Sequence, residues 1–268
     1  MNDIKLICCD IDGTLVRDDK SLSSENIRWV QRVVREKGVR FTIVSGRMYS
    51  AVIHFYDTLG IRGPASCING ALLYDPDGNV ISDHRIPMDI ALLIYRISRD
   101  FPVDMLLITG NRWYTESHEG YLYSQKLPIY RQESIIDRLG EHLRKEEVNK
   151  ILFMSPDPVL IDSLRAGIRK EVSERDASFY YGSNFLELMP GGISKGSAID
   201  DLSEYYGIPE SDIMAIGDDF NDVEMLSRAG FSVAMGNADD SVKKAARYVT
   251  SCNGEDGVAK AIERFFYQ

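Results

Sequence analysis

Two aspartates one residue apart, Asp10 and Asp12, close the apolar run Leu6-Ile7-Cys8-Cys9 and are followed by Gly13-Thr14. Three more polar sets stand far off in the chain. They are Ser45-Gly46-Arg47, Lys195 in Gly192-Ile193-Ser194-Lys195-Gly196, and Gly217-Asp218-Asp219-Phe220-Asn221-Asp222. Carboxylates brought together repel unless a cation joins them, and an all-oxygen set suits Mg²⁺. Ser45, the Gly46 amide and the Lys195 ammonium would make an anion cradle. A divalent cation, a phosphate cradle and an uncovered carboxylate are the equipment of phosphoryl transfer, where a carboxylate can itself be the nucleophile.

Each of these residues also has a plainer role available. Asp and Gly are ordinary turn residues, Asn221 and Asp222 suit helix caps, and a lysine at a helix start is usually solvated. Lys195 is nevertheless electrostatically odd, because a cation is disfavoured at a helix N-terminus unless an anion compensates it. Arg47 reads as a surface residue, and Asp219 as a carboxylate pointing to solvent.

The elements that would position these groups follow from the pattern. Leu6 to Cys9 reads as a strand buried on both faces, and ligands of open α/β sheets sit beyond the carboxyl ends of such strands. Ser23 or Ser24 caps a helix with Glu25 in its first turn, apolar Ile27, Val30, Val33 and Val34, and Gly38 at its end. Val39 to Val44 is a second buried strand. A helix over 49–59 and a strand near 66–68 complete a doubly wound, mostly parallel α/β rhythm.

From Asn69 the rhythm changes. Asp75-Pro76-Asp77-Gly78 turns a hairpin between 71–74 and 79–82. Residues 83–189 then read as a mixed α+β set. Helices are expected over 89–99, 121–145 and 157–172, and strands at 103–109, 112–115, 150–154, 178–181 and 185–189. After Pro190-Gly191-Gly192 come a helix over 195–206, a strand at 212–216, a helix over 221–229 and a strand at 231–235. Helices over 240–247 and 256–266 end the chain. One domain, 1–82 with 190–268, is thus expected to be interrupted by a second, 83–189.

With 268 residues, 44% hydrophobic, the chain can bury a large core. Its net charge of −10 argues against nucleic-acid and anionic-membrane partners, which want a basic face. The four cysteines show no metal spacing and read as free thiols of a reducing compartment. No signal segment or membrane-length apolar run is apparent, so a cytoplasmic protein is expected. His54, His84, His118 and His142 lack ligand spacing. Trp113-Tyr114 and Tyr121-Leu122-Tyr123 read as core.

The four sets, in this order, resemble the four motifs of the haloacid dehalogenase (HAD) superfamily. The long insert, Asn69-Gly70-Ala71 and Leu186-Glu187-Leu188 resemble its Cof-type subfamily with a type IIB cap. The resemblance implies a Rossmann-like core and an α+β cap that closes over the site and selects substrate. It implies Asp10 as nucleophile and Asp12 as acid/base, with metal ligands Asp10, Asp12 (through its carbonyl) and Asp218. Phosphate would be held by Ser45, Gly46, Lys195 and Asn221, while Asp222 would orient Lys195 or a metal-bound water. The implied activity is Mg²⁺-dependent hydrolysis of a small phosphorylated metabolite, a sugar phosphate or phosphorylated cofactor, with no obligate protein partner. A phosphotransferase or phosphomutase, and a regulator that binds metabolite without turnover, stay open as alternatives.

Overall fold

The structure, a computed structural model, describes residues 4–130 and 132–268. Arg131, within the stretch read as helical over 121–145, lies outside the described residues. The chain divides into two compact units. One holds the chain up to Gly46, Val52–Ser82 and Ser194–Gln268; the other holds Arg47–Ala51 and Asp83–Ile193.

The first unit begins with β1 (Leu6–Cys9), α1 (Ser24–Lys37), β2 (Arg40–Val44), α2 (Tyr49–Leu59), β3 (Ala65–Cys67), β4 (Leu72–Tyr74) and β5 (Val80–Asp83). Helix α1 starts where the Ser23 hydroxyl accepts a hydrogen bond from Asn26 N and stops at left-handed Gly38. Both caps stand where the sequence places them. Its buried face is Asn26, Trp29, Val30 and Val33.

In the second unit follow α3 (Met88–Ser98), β6 (Asp104–Thr109), β7 (Arg112–Thr115), α4 (Tyr121–Tyr130), β8 (Ile135–Ile136) and α5 (Leu139–His142). Then come β9 (Lys150–Met154), α6 (Pro158–Arg169), β10 (Ala177–Tyr181) and β11 (Phe185–Pro190). The chain ends in the first unit with α7 (Ser197–Tyr206), β12 (Ile213–Gly217), α8 (Val223–Arg228), β13 (Phe231–Ala234), α9 (Asp240–Ala245), β14 (Tyr248–Val249) and α10 (Gly257–Tyr267).

The first unit is built on an eight-stranded sheet ordered β14-β13-β12-β1-β2-β3-β4-β5. Neighbours from β14 through β3 run parallel, and β4 pairs antiparallel with β3. Strand β1 lies in the middle, with all four residues buried, as a strand covered on both faces requires. The chain winds from β1 toward β2 and β3 and later returns on the other side through β12 and β13. That makes the carboxyl end of β1 a topological switch point, the favoured place for a ligand.

The second unit is a six-stranded sheet ordered β10-β11-β9-β6-β7-β8, with β7 and β8 its parallel pair. Ile94 of α3 and Leu164 of α6 pack with Leu107, Ile151, Phe153, Leu186 and Leu188 in one core. Trp113, Tyr114 and Leu122 are buried, as expected. Lys150 is buried too, its ammonium 2.6 Å from Glu187 Oε2 on the adjacent strand. Glu187→Ala would strand that ammonium and should cost about 3–5 kcal/mol of unfolding free energy. The paired change Lys150→Met with Glu187→Leu should restore most of it; urea denaturation of both variants checks the difference.

Four cysteines are free, with Cys8, Cys9 and Cys67 buried. Among the described residues no helix is long and apolar enough to cross a membrane.

Candidate active site

Register brings the site together. Cys9 pairs with Ile43 on one side and with Ile216 on the other. Asp10 is thus level with Val44 and Gly217, and Ser45 and Asp218 leave the sheet one residue further along, at the same end. Asp10 N still donates to Ile216 O (3.0 Å), and Ser45 N to Ser66 O (3.0 Å).

Lys195 reaches this level from a different direction. The sequence places it inside a helix; the helix instead begins at Ser197. The Ser194 hydroxyl accepts from Gly196 N (3.0 Å) and Ser197 N (3.3 Å), so capping falls just after the lysine. Freed from the helix surface, the Lys195 side chain is buried, 1% exposed. Its Nζ lies 2.7 Å from Asp10 Oδ1 and 2.7 Å from Asp222 Oδ1. The oddity of a cation at this position thus resolves as two compensating anions. Burial pulls the Lys195 pKa down, but Asp10 and Asp222 overcome it and hold the ammonium above its ordinary value. Asp10 is pushed well above the usual carboxylate range by burial, against the pull of Lys195.

Asp222 is fully committed. Oδ1 takes the lysine, while Oδ2 accepts the backbone N–H of Asp218 (2.9 Å) and of Asp219 (3.0 Å). Asp219 is exposed and its carboxylate accepts from Phe220 N, as a solvent-facing cap would. Asp218 accepts from Thr14 Oγ1 (2.6 Å) and Asn237 Nδ2 (3.3 Å). Asn237 also donates to Gly13 O (2.9 Å). It escaped the sequence reading, although Met235-Gly236-Asn237 follows a parallel strand at this same end of the sheet, which was the signal available.

Asp12 behaves differently from Asp10. Its carboxylate is 39% exposed and its Oδ1 lies 2.9 Å from Lys20 Nζ. Oxygens of Asp10, Asp218 and Asp222 lie within 4.8 Å of one another; the side chain that joins the first two is that of Asp222, not Asp12. Ser45 is buried, and Asn221 Nδ2 donates to Asn69 Oδ1 (3.2 Å). Arg47, expected at the surface, is buried instead, 7% exposed. A cavity of about 550 Å³ in the second unit, walled by Tyr95, Arg99, Phe101, Asp104, Glu116 and Tyr123, contains none of these residues.

With Asp222 committed to Lys195 and two backbone N–H groups, Asp10 and Asp218 are the clustered carboxylates left to suit a small hard cation. Burial, with Asp222 adding to it and the Thr14 hydrogen bond opposing it, lifts the Asp218 pKa to about 6. A raised folded-state value means that the folded protein holds a proton the unfolded chain releases. That contribution to stability is present below the ordinary value of 3.8 and is lost as pH rises through 6. A cation must displace the same proton. Binding of a divalent cation by Asp218, read by titration calorimetry, should therefore weaken as pH falls below 6.

Residues 7–262 match the family described as haloacid dehalogenase-like hydrolase. The chain is 30% identical, over 97% of each protein, to the 5-amino-6-(5-phospho-D-ribitylamino)uracil phosphatase YitU of Bacillus subtilis. It is 30% identical to the pyridoxal phosphate phosphatase YbhA of Escherichia coli, covering 96% of this chain and 97% of that one. The solved HAD subclass IIB sugar phosphatase BT4131, at 22% identity, shares the fold with a TM-score of 0.85 over 97% of this chain and 98% of its own. With the family's description matched across nearly the whole chain, this protein belongs to the haloacid dehalogenase-like hydrolases.

Proposed function

We propose that the protein is a Mg²⁺-dependent phosphatase that hydrolyses small phosphorylated metabolites through an aspartyl-phosphate on Asp10. The observation that carries this reading is Lys195, buried and 2.7 Å from both Asp10 and Asp222, with the Asp218 carboxylate in the same acidic cluster. The two carboxylates already compensate this ammonium, and a phosphoryl group presented to Asp10 would bring its oxygens within reach of the same cation.

In the first step an Asp10 oxygen forms a bond to phosphorus while the ester oxygen leaves with the bonding pair and takes a proton from Asp12. In the second, Asp12 removes a proton from water, the water oxygen bonds to phosphorus, and Asp10 departs as carboxylate with inorganic phosphate. Ser45, the Gly46 amide, Lys195 and Asn221 hold the phosphoryl oxygens, whose charge grows in the transition state. Asp222 fixes Lys195. Asp10, Asp218 and the Asp12 carbonyl would hold Mg²⁺, which would offset the repulsion between an anionic nucleophile and an anionic substrate. The unit containing 83–189 is proposed to select the organic part of the substrate.

The relatives' names supply the substrate class: a ribityl phosphate, pyridoxal phosphate or a similar phosphomonoester. The test is phosphate release from an aryl phosphate and from a panel of these esters, with Mg²⁺ and after chelation. Turnover that chelation abolishes supports the reading. No release from any ester contradicts it, and transfer to a sugar hydroxyl in place of water would make the enzyme a phosphotransferase.

A further inference from the structure

The turn that follows β3 is unlike any other among the described residues. Ile68, Asn69 and Gly70 take φ of +51°, +51° and +93°, three left-handed residues in succession. Glycine enters that region freely, asparagine with some cost, and a β-branched isoleucine almost never. Strain of this kind persists only where the surroundings enforce it, and it collects at functional sites.

What this strained turn touches is the phosphate cradle, on all three of its sides. Asn69 N donates to Ser45 O (2.9 Å). The Asn69 carboxamide oxygen lies 2.9 Å from where a side chain on residue 46 would begin, so the close approach requires glycine there. The same oxygen accepts from Asn221 Nδ2 (3.2 Å). On the third side, a side chain on Gly70 would begin 2.3 Å from the carbonyl oxygen of Ser194, the residue before Lys195. Asn69 is itself 2% exposed. The Asn221 side-chain oxygen Oδ1 is also buried and has no hydrogen-bond partner, so the hydrogen bond that orients this carboxamide is the one from its Nδ2 to Asn69.

We infer that Asn69 is a positioning residue of the phosphate site: its buried carboxamide, presented by the strained turn, sets the Ser45-Gly46 loop and Asn221 at a phosphate-sized separation. This rests on the phosphatase reading above. Asn69 acts through Gly46 and Asn221 rather than on the reacting atoms, and the organic part of the substrate does not enter the argument.

The experiment compares Asn69→Gly, Asn221→Ala and the double variant in the full-length protein. Inorganic phosphate binding is measured by calorimetry with Mg²⁺ present, alongside kcat and KM on an aryl phosphate and thermal midpoints. Glycine suits φ of +51°, which offsets part of the lost hydrogen bond and the added freedom of the unfolded chain, so Asn69→Gly should fold with a modestly lower midpoint. It should nevertheless bind phosphate at least tenfold more weakly and raise KM by a similar factor. If Asn69 works through Asn221, the double variant should be hardly worse than Asn221→Ala alone. Asn69→Gly binding phosphate like the parent would overturn the inference and leave the phosphatase reading standing, as would losses that multiply in the double variant. A parent protein that neither binds phosphate nor hydrolyses the ester would overturn both.

Discussion

Lys195→Met should disable and destabilise the protein together. Methionine fills much the same volume without the charge, leaving Asp10 and Asp222 facing each other with no counter-ion. Removing one partner of a buried ion pair costs about 3–5 kcal/mol, and here one ammonium serves two carboxylates. Loss of a cation that stabilises equatorial phosphoryl charge should lower kcat by about 10²–10³-fold or more. The pH dependence identifies the cause. In the parent, Lys195 is held above its ordinary value, so its stabilising contribution is present throughout the physiological range and is lost only in strong base. Without it, Asp10, already raised by burial, rises further. The variant then binds a proton that its unfolded chain does not, and it should regain stability as pH falls from 8 to 5. Urea denaturation at both pH values reads this directly; a small, pH-independent loss would mean that the ammonium is not buried between the two carboxylates.

Asp10→Asn should have the larger effect on turnover and the smaller on stability. The carboxamide keeps the shape of the side chain but cannot attack phosphorus, so kcat is expected to fall by at least about 10⁴-fold. Lys195 keeps Asp222 as its partner, and one like charge beside Asp218 disappears, so the two electrostatic changes oppose each other. Ser45, Gly46 and Lys195 are untouched, and inorganic phosphate or vanadate should bind the variant with Mg²⁺ present. Activity surviving this change would remove Asp10 from the role of nucleophile.

The parts of the fold legible in the sequence are those with strong local physics. The caps Ser23 and Gly38 set the ends of α1, and the buried run before Asp10 sets the central strand. Strand β9 (Lys150–Met154) falls where its apolar run predicts. What escaped depends on tertiary context. The stretch read as helical over 121–145 breaks into α4, the two-residue β8 and α5. Pro128 lies inside α4, and β8, with both residues exposed, is too short to show a period. Strand β14, also two residues long, hides at the edge of the sheet for the same reason. At the site, residue types and order revealed Asp10, Asp218 and Lys195 as partners. The burial of Arg47 is a tertiary property, and Asn237 is placed by its bond to Gly13 O, 224 residues away in the chain, which no local window contains.

The most direct test of the account is to trap the phosphoenzyme. Asp12→Asn, which should slow the second step, is mixed with Mg²⁺ and a ³²P-labelled aryl phosphate, whose leaving group needs no proton from Asp12 in the first step, then quenched in acid and digested, and the labelled peptide is sequenced. The account predicts label on the peptide containing Asp10, labile to hydroxylamine as an acyl phosphate is, and none when Asp10→Asn is added. Label on any other residue, or hydrolysis at the parent's rate with no trapped label at any time, would contradict it.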